Sequence, residues 1–128
     1  MFNFTVETAA TPEQAIADLT ESLKVEGFGV LWELDMRGKL AEKGVEFDRD
    51  YYIIEVCNPA EAKRVLTENP LVGYFLPCKM AIYEENGKTK MGMPKPTVLM
   101  GNIESKALME IASNIEKRLI ACIENAVK

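Results

Sequence analysis

The sequence predicts an α+β fold: a mostly antiparallel sheet of about five strands with helices on one face, in a single domain spanning residues 1–128. Three observations carry this. Short alternating or β-branched runs recur along the chain, two segments with helix-start signals separate them, and one long amphipathic stretch closes the sequence. The length suits one domain, and 48% hydrophobic against 27% charged residues is the balance of a chain that folds around a core.

Phe2, Phe4 and Val6 alternate with Asn3, Thr5 and Glu7, the pattern of a first strand. Thr11-Pro12-Glu13-Gln14 then announces a helix. Thr11 can cap it, Pro12 suits its first position, and Gln14 completes a capping box. Ala15, Ile16, Leu19 and Leu23 form its apolar stripe, with Val25 at the end, and Gly27 supplies a left-handed stop. Phe28 to Asp35 reads as strand two, with Phe28, Val30, Trp32 and Leu34 on one face and Leu31, Glu33 and Asp35 on the other. MRGKLAEKGVEF, charged and punctuated by Gly38 and Gly44, reads as a short helical turn and loop. It is a candidate lid, although an ordinary surface connection is the commoner role.

Tyr51 to Cys57 is dense in β-formers and predicts strand three. Asn58 can cap and Pro59 can open a helix running to about Glu68, which Asn69-Pro70 ends. LVGYF is a turn or one helical turn. A fourth strand follows from about Leu76 to Glu84, and Asn86-Gly87 is a tight-turn signal. Thr89 to Met93 returns as the fifth strand, ended by Pro94 and Pro96. Leu108, Ile111, Ile115, Leu119, Ile123 and Ala126 recur at helical spacing, predicting a helix from about Glu104 to Ala126. The sheet face away from the helices would carry Leu31, Tyr51, Ile53, Ala81 and Tyr83. A face this apolar usually meets a partner, so a homodimer is expected.

Composition narrows the chemistry. A net charge of −5 lacks the broad positive field of nucleic-acid binders, and Lys88, Lys90 and Lys95 near Glu84 and Glu85 read as a solvated hairpin tip. No basic, apolar leader opens the chain and no run approaches the roughly 20 apolar residues of a membrane span. Three separated cysteines, Cys57, Cys78 and Cys122, suit free thiols in a cytoplasmic location. There is no histidine, which excludes Ser-His-Asp and Cys-His catalysis within one chain, and histidine metal sites with them.

The string GFGVLWELD, YYIIEVCNP with AEAKRVL, LPCKMAIYE and a late helix resembles the domain of unknown function 302 family over nearly the whole chain. The specific matches are Gly27-Phe28-Gly29, Cys57-Asn58-Pro59 and Leu76-Pro77-Cys78. The chain departs from that pattern after the hairpin, where MGMPKPTVLMGN stands in place of an aspartate-proline stretch. The resemblance implies a small α/β protein able to dimerise, and assigns no activity.

Among residues able to do chemistry, Cys57 is the catalytic candidate. It stands where a strand meets a helix start, and a helix amino terminus lowers a thiol's pKa. Packing as a small hydrophobe is the commoner fate of a free cysteine. Cys57, Asn58, Cys78, Lys79, Glu33 and Glu55 are the binding candidates. Glu33, Asp35, Glu55, Lys79 and Tyr83 could gather on the face without helices, for acid–base work or an interface ion-pair network. A shared Cys57–Cys78 site is disfavoured if a parallel crossover sends the two residues to opposite edges of the sheet. Met91 and Met93 could hold copper(I) through thioethers, but two methionines on one strand face usually pack. No resident metal or cofactor is expected. The function that follows is a dimeric binding protein for a small ligand or protein partner; the alternative is a thiol-dependent enzyme or redox sensor using Cys57.

Overall fold

A computed structural model covers residues 1–128 and gives five strands and five α-helices. The strands are β1 (Asn3–Thr8), β2 (Gly29–Asp35), β3 (Tyr51–Cys57), β4 (Cys78–Glu85) and β5 (Lys88–Pro94). The helices are α1 (Pro12–Val25), α2 (Met36–Glu42), α3 (Pro59–Glu68), α4 (Pro96–Met100) and α5 (Lys106–Ala126), with a 3₁₀ segment at Pro70–Phe75. The fold is α+β, as the sequence predicts.

The cap residues act as their types suggest, but Gln14 turns its side chain to Asp18 at 2.8 Å and not back to Thr11, so the expected capping box is not completed. Thr11 accepts from the Gln14 amide, Asn58 from Ala60 and Glu61, and Ser105 from Leu108. Each satisfies an amide that the first turn leaves without an intrahelical partner. Gly27 takes φ +80 just past α1, the conformation that favours glycine. The Asn86-Gly87 turn has both residues at positive φ and closes the β4–β5 hairpin.

All five strands pair antiparallel, in the order β1-β5-β4-β3-β2. The parallel crossover considered between strands three and four is therefore absent: α3 and the 3₁₀ segment return the chain so that Val56 faces Cys78. One sheet face carries Ile54, Val56, Met80, Ile82, Met91 and Met93, all buried against α1, α3, α4 and α5 in a core of 20 residues. Met91 and Met93 thus pack in the core, the commoner of their two roles.

Four local expectations are corrected. Leu31 forms a bulge opposite β3, so Trp32 pairs with Glu55, Glu33 with Ile54 and Leu34 with Ile53. One extra residue turns every following side chain over. Trp32 and Leu34 therefore lie on the face without helices, and Glu33 and Asp35 on the helical side. Phe2 and Val25 are 62% and 83% exposed, so neither belongs to the apolar stripe drawn for its segment. The segment after Pro94 is not only a strand stop: it forms α4, whose first amide and Thr97 hydroxyl both donate to Glu116 of α5. Strand four starts at Cys78, later than Leu76, after a cis Leu76–Pro77 peptide bond.

Candidate functional site

The cavity that gathers most of the singled-out residues lies at the start of β4. Its volume is about 230 Å³, and eight of its 13 lining residues are hydrophobic. Phe75, Leu76 and Pro77 form one wall, Met93 of β5 a second, and Leu99 and Met100 of α4 a third. Leu119 of α5 also reaches it. Cys78, Lys79 and Glu55 complete the lining. Local sequence explains the walls. Asn69 caps the 3₁₀ segment by accepting from Leu71, and the proline pair 94 and 96 bends the chain from β5 into α4.

Glu55 and Lys79 are opposite one another in the β3–β4 ladder. Directly opposed residues share a face, so both sit on the side away from the helices. Lys79 is exposed and Glu55 half-buried. Further along the same face Tyr51 stacks on Tyr83, with centroids 5.0 Å apart and rings 14° from parallel, and Phe47 meets Tyr51 edge-on at 6.4 Å. Burial raises the Tyr51 phenol above its ordinary pKa, and Tyr83 adds to this. Ile53 and Ala81 oppose each other between the tyrosines and the Glu55–Lys79 pair. Trp32, 48% exposed, stands beside Glu55.

Of the residues expected to converge on this face, Glu55, Lys79 and Tyr83 do so; Glu33 and Asp35 do not, because of the bulge. Asp35 instead caps α2 by accepting from the Gly38 amide. The candidate lid is α2 followed by a loop whose Asp50 pairs with Arg37 at 3.2 Å.

Cys57 ends β3, half-buried, immediately before the Asn58 cap. Cys78 lies one rung away, since its partner is Val56. The two residues are thus neighbours at one edge of the sheet, a correction to the opposite-edge argument, although strand alternation turns them to different faces. Burial pushes the Cys78 thiol up to about 11, and the nearby Cys57 adds to the shift. Cys122 is buried on α5, where desolvation first and the Glu26 carboxylate second raise its pKa. Lys90, at the hairpin, pairs with Glu7 and Glu85, and the Glu7 hydrogen bond leads in raising its pKa.

Asn58 does more than cap. Its side-chain amide donates to the Glu26 carbonyl at 3.2 Å, and a Cβ on Gly27 would sit 3.0 Å from that same nitrogen. Behind it lies a cluster that sequence reasoning missed. Arg118 of α5 donates to the Glu26 side chain at 2.9 Å, to the Glu26 carbonyl at 2.8 Å and to Glu61 of α3 at 2.7 Å. Its guanidinium also lies 5.3 Å from the Phe28 ring centroid. Glu61 is 6% exposed and takes a second bond from Arg64. Arg118 lies within the continuous α5, outside the apolar stripe that the spacing marks, and nothing local distinguishes it from the other charged residues of the helix. No helix of the protein is long and apolar enough to cross a membrane.

Comparison with known proteins agrees with this architecture. The crystal structure of an uncharacterized conserved protein DUF302 from Bacillus stearothermophilus superimposes with a TM-score of 0.95 at 56% identity, covering 98% of each chain. No curated protein matches the chain. The family model for the domain of unknown function DUF302 matches residues 4–126. With that match over nearly its whole length, the chain belongs to the DUF302 family.

Proposed function

We propose that the protein binds a small, largely apolar molecule with a charged or polar end, and does so as a homodimer. The observation that carries the ligand reading is the 230 Å³ cavity, apolar inside, with Lys79 and Glu55 among its lining residues. Small-molecule sites combine an apolar interior with a few polar groups that orient the ligand. Both side chains project from the sheet face away from the helices, so they meet the cavity from its outer side, where Lys79 suits an anionic end and Glu55 a hydrogen-bond donor. Phenylacetate, one ring and one carboxylate, is a suitable probe. Calorimetric titration should give saturable one-to-one binding that Lys79→Glu and Leu99→Trp each abolish, the first by reversing the charge and the second by filling the cavity. Binding indifferent to both changes refutes the site.

The face bearing Trp32, Leu34, Ile53 and the Tyr51–Tyr83 stack supports the dimer, since these side chains form an apolar patch on the side of the sheet away from α1, α3, α4 and α5. Sedimentation at micromolar concentration should give a dimer, and Ile53→Lys a monomer; monomer alone for the unmodified protein removes this part of the proposal.

A further inference from the structure

The sheet face away from α1, α3, α4 and α5 has a stepped profile. Its middle row runs Leu34, Ile53, Ala81 and Gly92 across β2, β3, β4 and β5. Two large side chains therefore stand on the β2–β3 half. A methyl group and a bare glycine occupy the β4–β5 half, where the Thr5 hydroxyl leans in over Gly92. One row nearer the cavity, Glu55 of β3 opposes Lys79 of β4; one row further away, Tyr51 opposes Tyr83. Charge on this face falls into two sets. Glu7, Glu85, Lys88 and Lys90 pair among themselves at the hairpin end, at 3.3 to 3.7 Å. Glu55 and Lys79, though directly opposed, join no ion pair of the chain.

We infer that a second copy of this chain docks on this face about a twofold axis parallel to the strands, midway between β3 and β4. This rests on the homodimer reading above and supplies its geometry. Such an axis exchanges the two halves of the face, so β3 of one copy lies over β4 of the other, and β2 over β5. Ile53 then meets the partner's Ala81 and Leu34 the partner's Gly92, so the raised half of each copy fills the low half of the other. Glu55 meets the partner's Lys79, and by symmetry Lys79 meets the partner's Glu55. Each charge that the chain leaves unpaired thereby gains an opposite one. Tyr51 meets the partner's Tyr83, aromatic on aromatic. Sheets packed face to face lie about 10 Å apart, a gap that interleaved side chains of these sizes fill. A twofold axis perpendicular to the strands through the middle row is worse on every count. It sets Ile53 on the partner's Ile53, Ala81 on the partner's Ala81, and both charges against tyrosines without a counter-ion. Lys79 carries three donors, so it can serve the partner's Glu55 and the anionic end of a ligand together.

Sedimentation velocity at micromolar concentration, without phenylacetate, tests the geometry through charge reversal. Glu55→Lys leaves only cations at the contact, and Lys79→Glu only carboxylates. Each variant alone should dimerise at least about tenfold more weakly than the unmodified protein. An equimolar mixture of the two should recover the dimer, because every cation then faces a carboxylate. With one variant labelled with heavy nitrogen, native mass spectrometry should find the mixed dimer in excess over both homodimers. Circular dichroism reports folding. If either single variant does not fold, the double variant Glu55→Lys with Lys79→Glu restores the reciprocal pairs and should dimerise as the unmodified protein does. Ala81→Trp, which fills the low half of the face, should weaken the dimer by about tenfold or more. An unmodified protein that stays monomeric removes the homodimer reading and this geometry with it. A dimer indifferent to the single reversals, or one that neither the mixture nor the double variant recovers, overturns the geometry while the homodimer stands.

Discussion

Replacing Arg118 with methionine should destabilise the protein by about 3 kcal/mol, a value that follows from its contacts. Methionine keeps an apolar stem over Phe28 but removes three charge-assisted hydrogen bonds, to Glu61, the Glu26 side chain and the Glu26 carbonyl. The Glu26 side chain is 39% exposed, so water replaces that bond at a cost of only about 0.5 kcal/mol. The Glu61 side chain is 8% exposed. Its Oε1 keeps Arg64, but its Oε2 is left unpaired beside the core, costing about 2 kcal/mol. The Glu26 carbonyl retains Asn58 and adds about 0.5 kcal/mol. At about 2.1 cal/mol/K per residue the unfolding entropy is about 0.27 kcal/mol/K, so the melting temperature should fall by about 10 °C. Urea denaturation and calorimetry measure both quantities. Adding Glu61→Gln should recover part of the loss, because an amide is cheaper to leave unpaired than a carboxylate. A loss below about 1 kcal/mol for Arg118→Met, or strict additivity of the two changes, would show that the cluster is a solvated surface pair.

Two further outcomes follow from the same region. Asn58→Ala removes the α3 cap together with the bond to Glu26 and should cost about 1–2 kcal/mol by chemical denaturation; no measurable change would mean that the helix start is held by other means. The Cys78 thiol, raised to about 11 from an ordinary 9.0, stays protonated in the folded protein while the unfolded chain ionises, so stability should fall as pH rises from 9 towards 11, by about 2 kcal/mol. Denaturation across that range should show the loss, and Cys78→Ala should remove it; an equal loss in the variant would assign the effect to other groups.

The elements legible in the sequence are those whose causes lie within a few residues. Thr11, Asn58 and Gly27 mark helix ends because a cap or a left-handed stop is a local hydrogen-bonding and steric matter. Asn86-Gly87 marks the hairpin because both positions need positive φ. Leu108, Ile115, Leu119 and Ile123 mark α5 because burial follows the 3.6-residue period. Cys78, Lys79 and Glu55 could be singled out as chemistry-bearing types, but not brought to one cavity.

Tertiary structure decided what depends on register and on contacts far apart in the chain. Antiparallel pairing of β3 with β4 brings Cys57 and Cys78 to the same edge of the sheet, and strand direction is invisible to alternation, which looks the same either way. The bulge at Leu31 sent Glu33 away from Glu55; one extra residue changes no composition, yet inverts the face of everything after it. Arg118 meets Glu26 across 92 residues and Glu61 across 57. Its burial comes from three elements converging on α5, so no spacing rule along a single element could have revealed it. The cavity at Met93, Met100 and Cys78 is of the same kind: its walls are three separate strand and helix ends, and only their packing makes them neighbours.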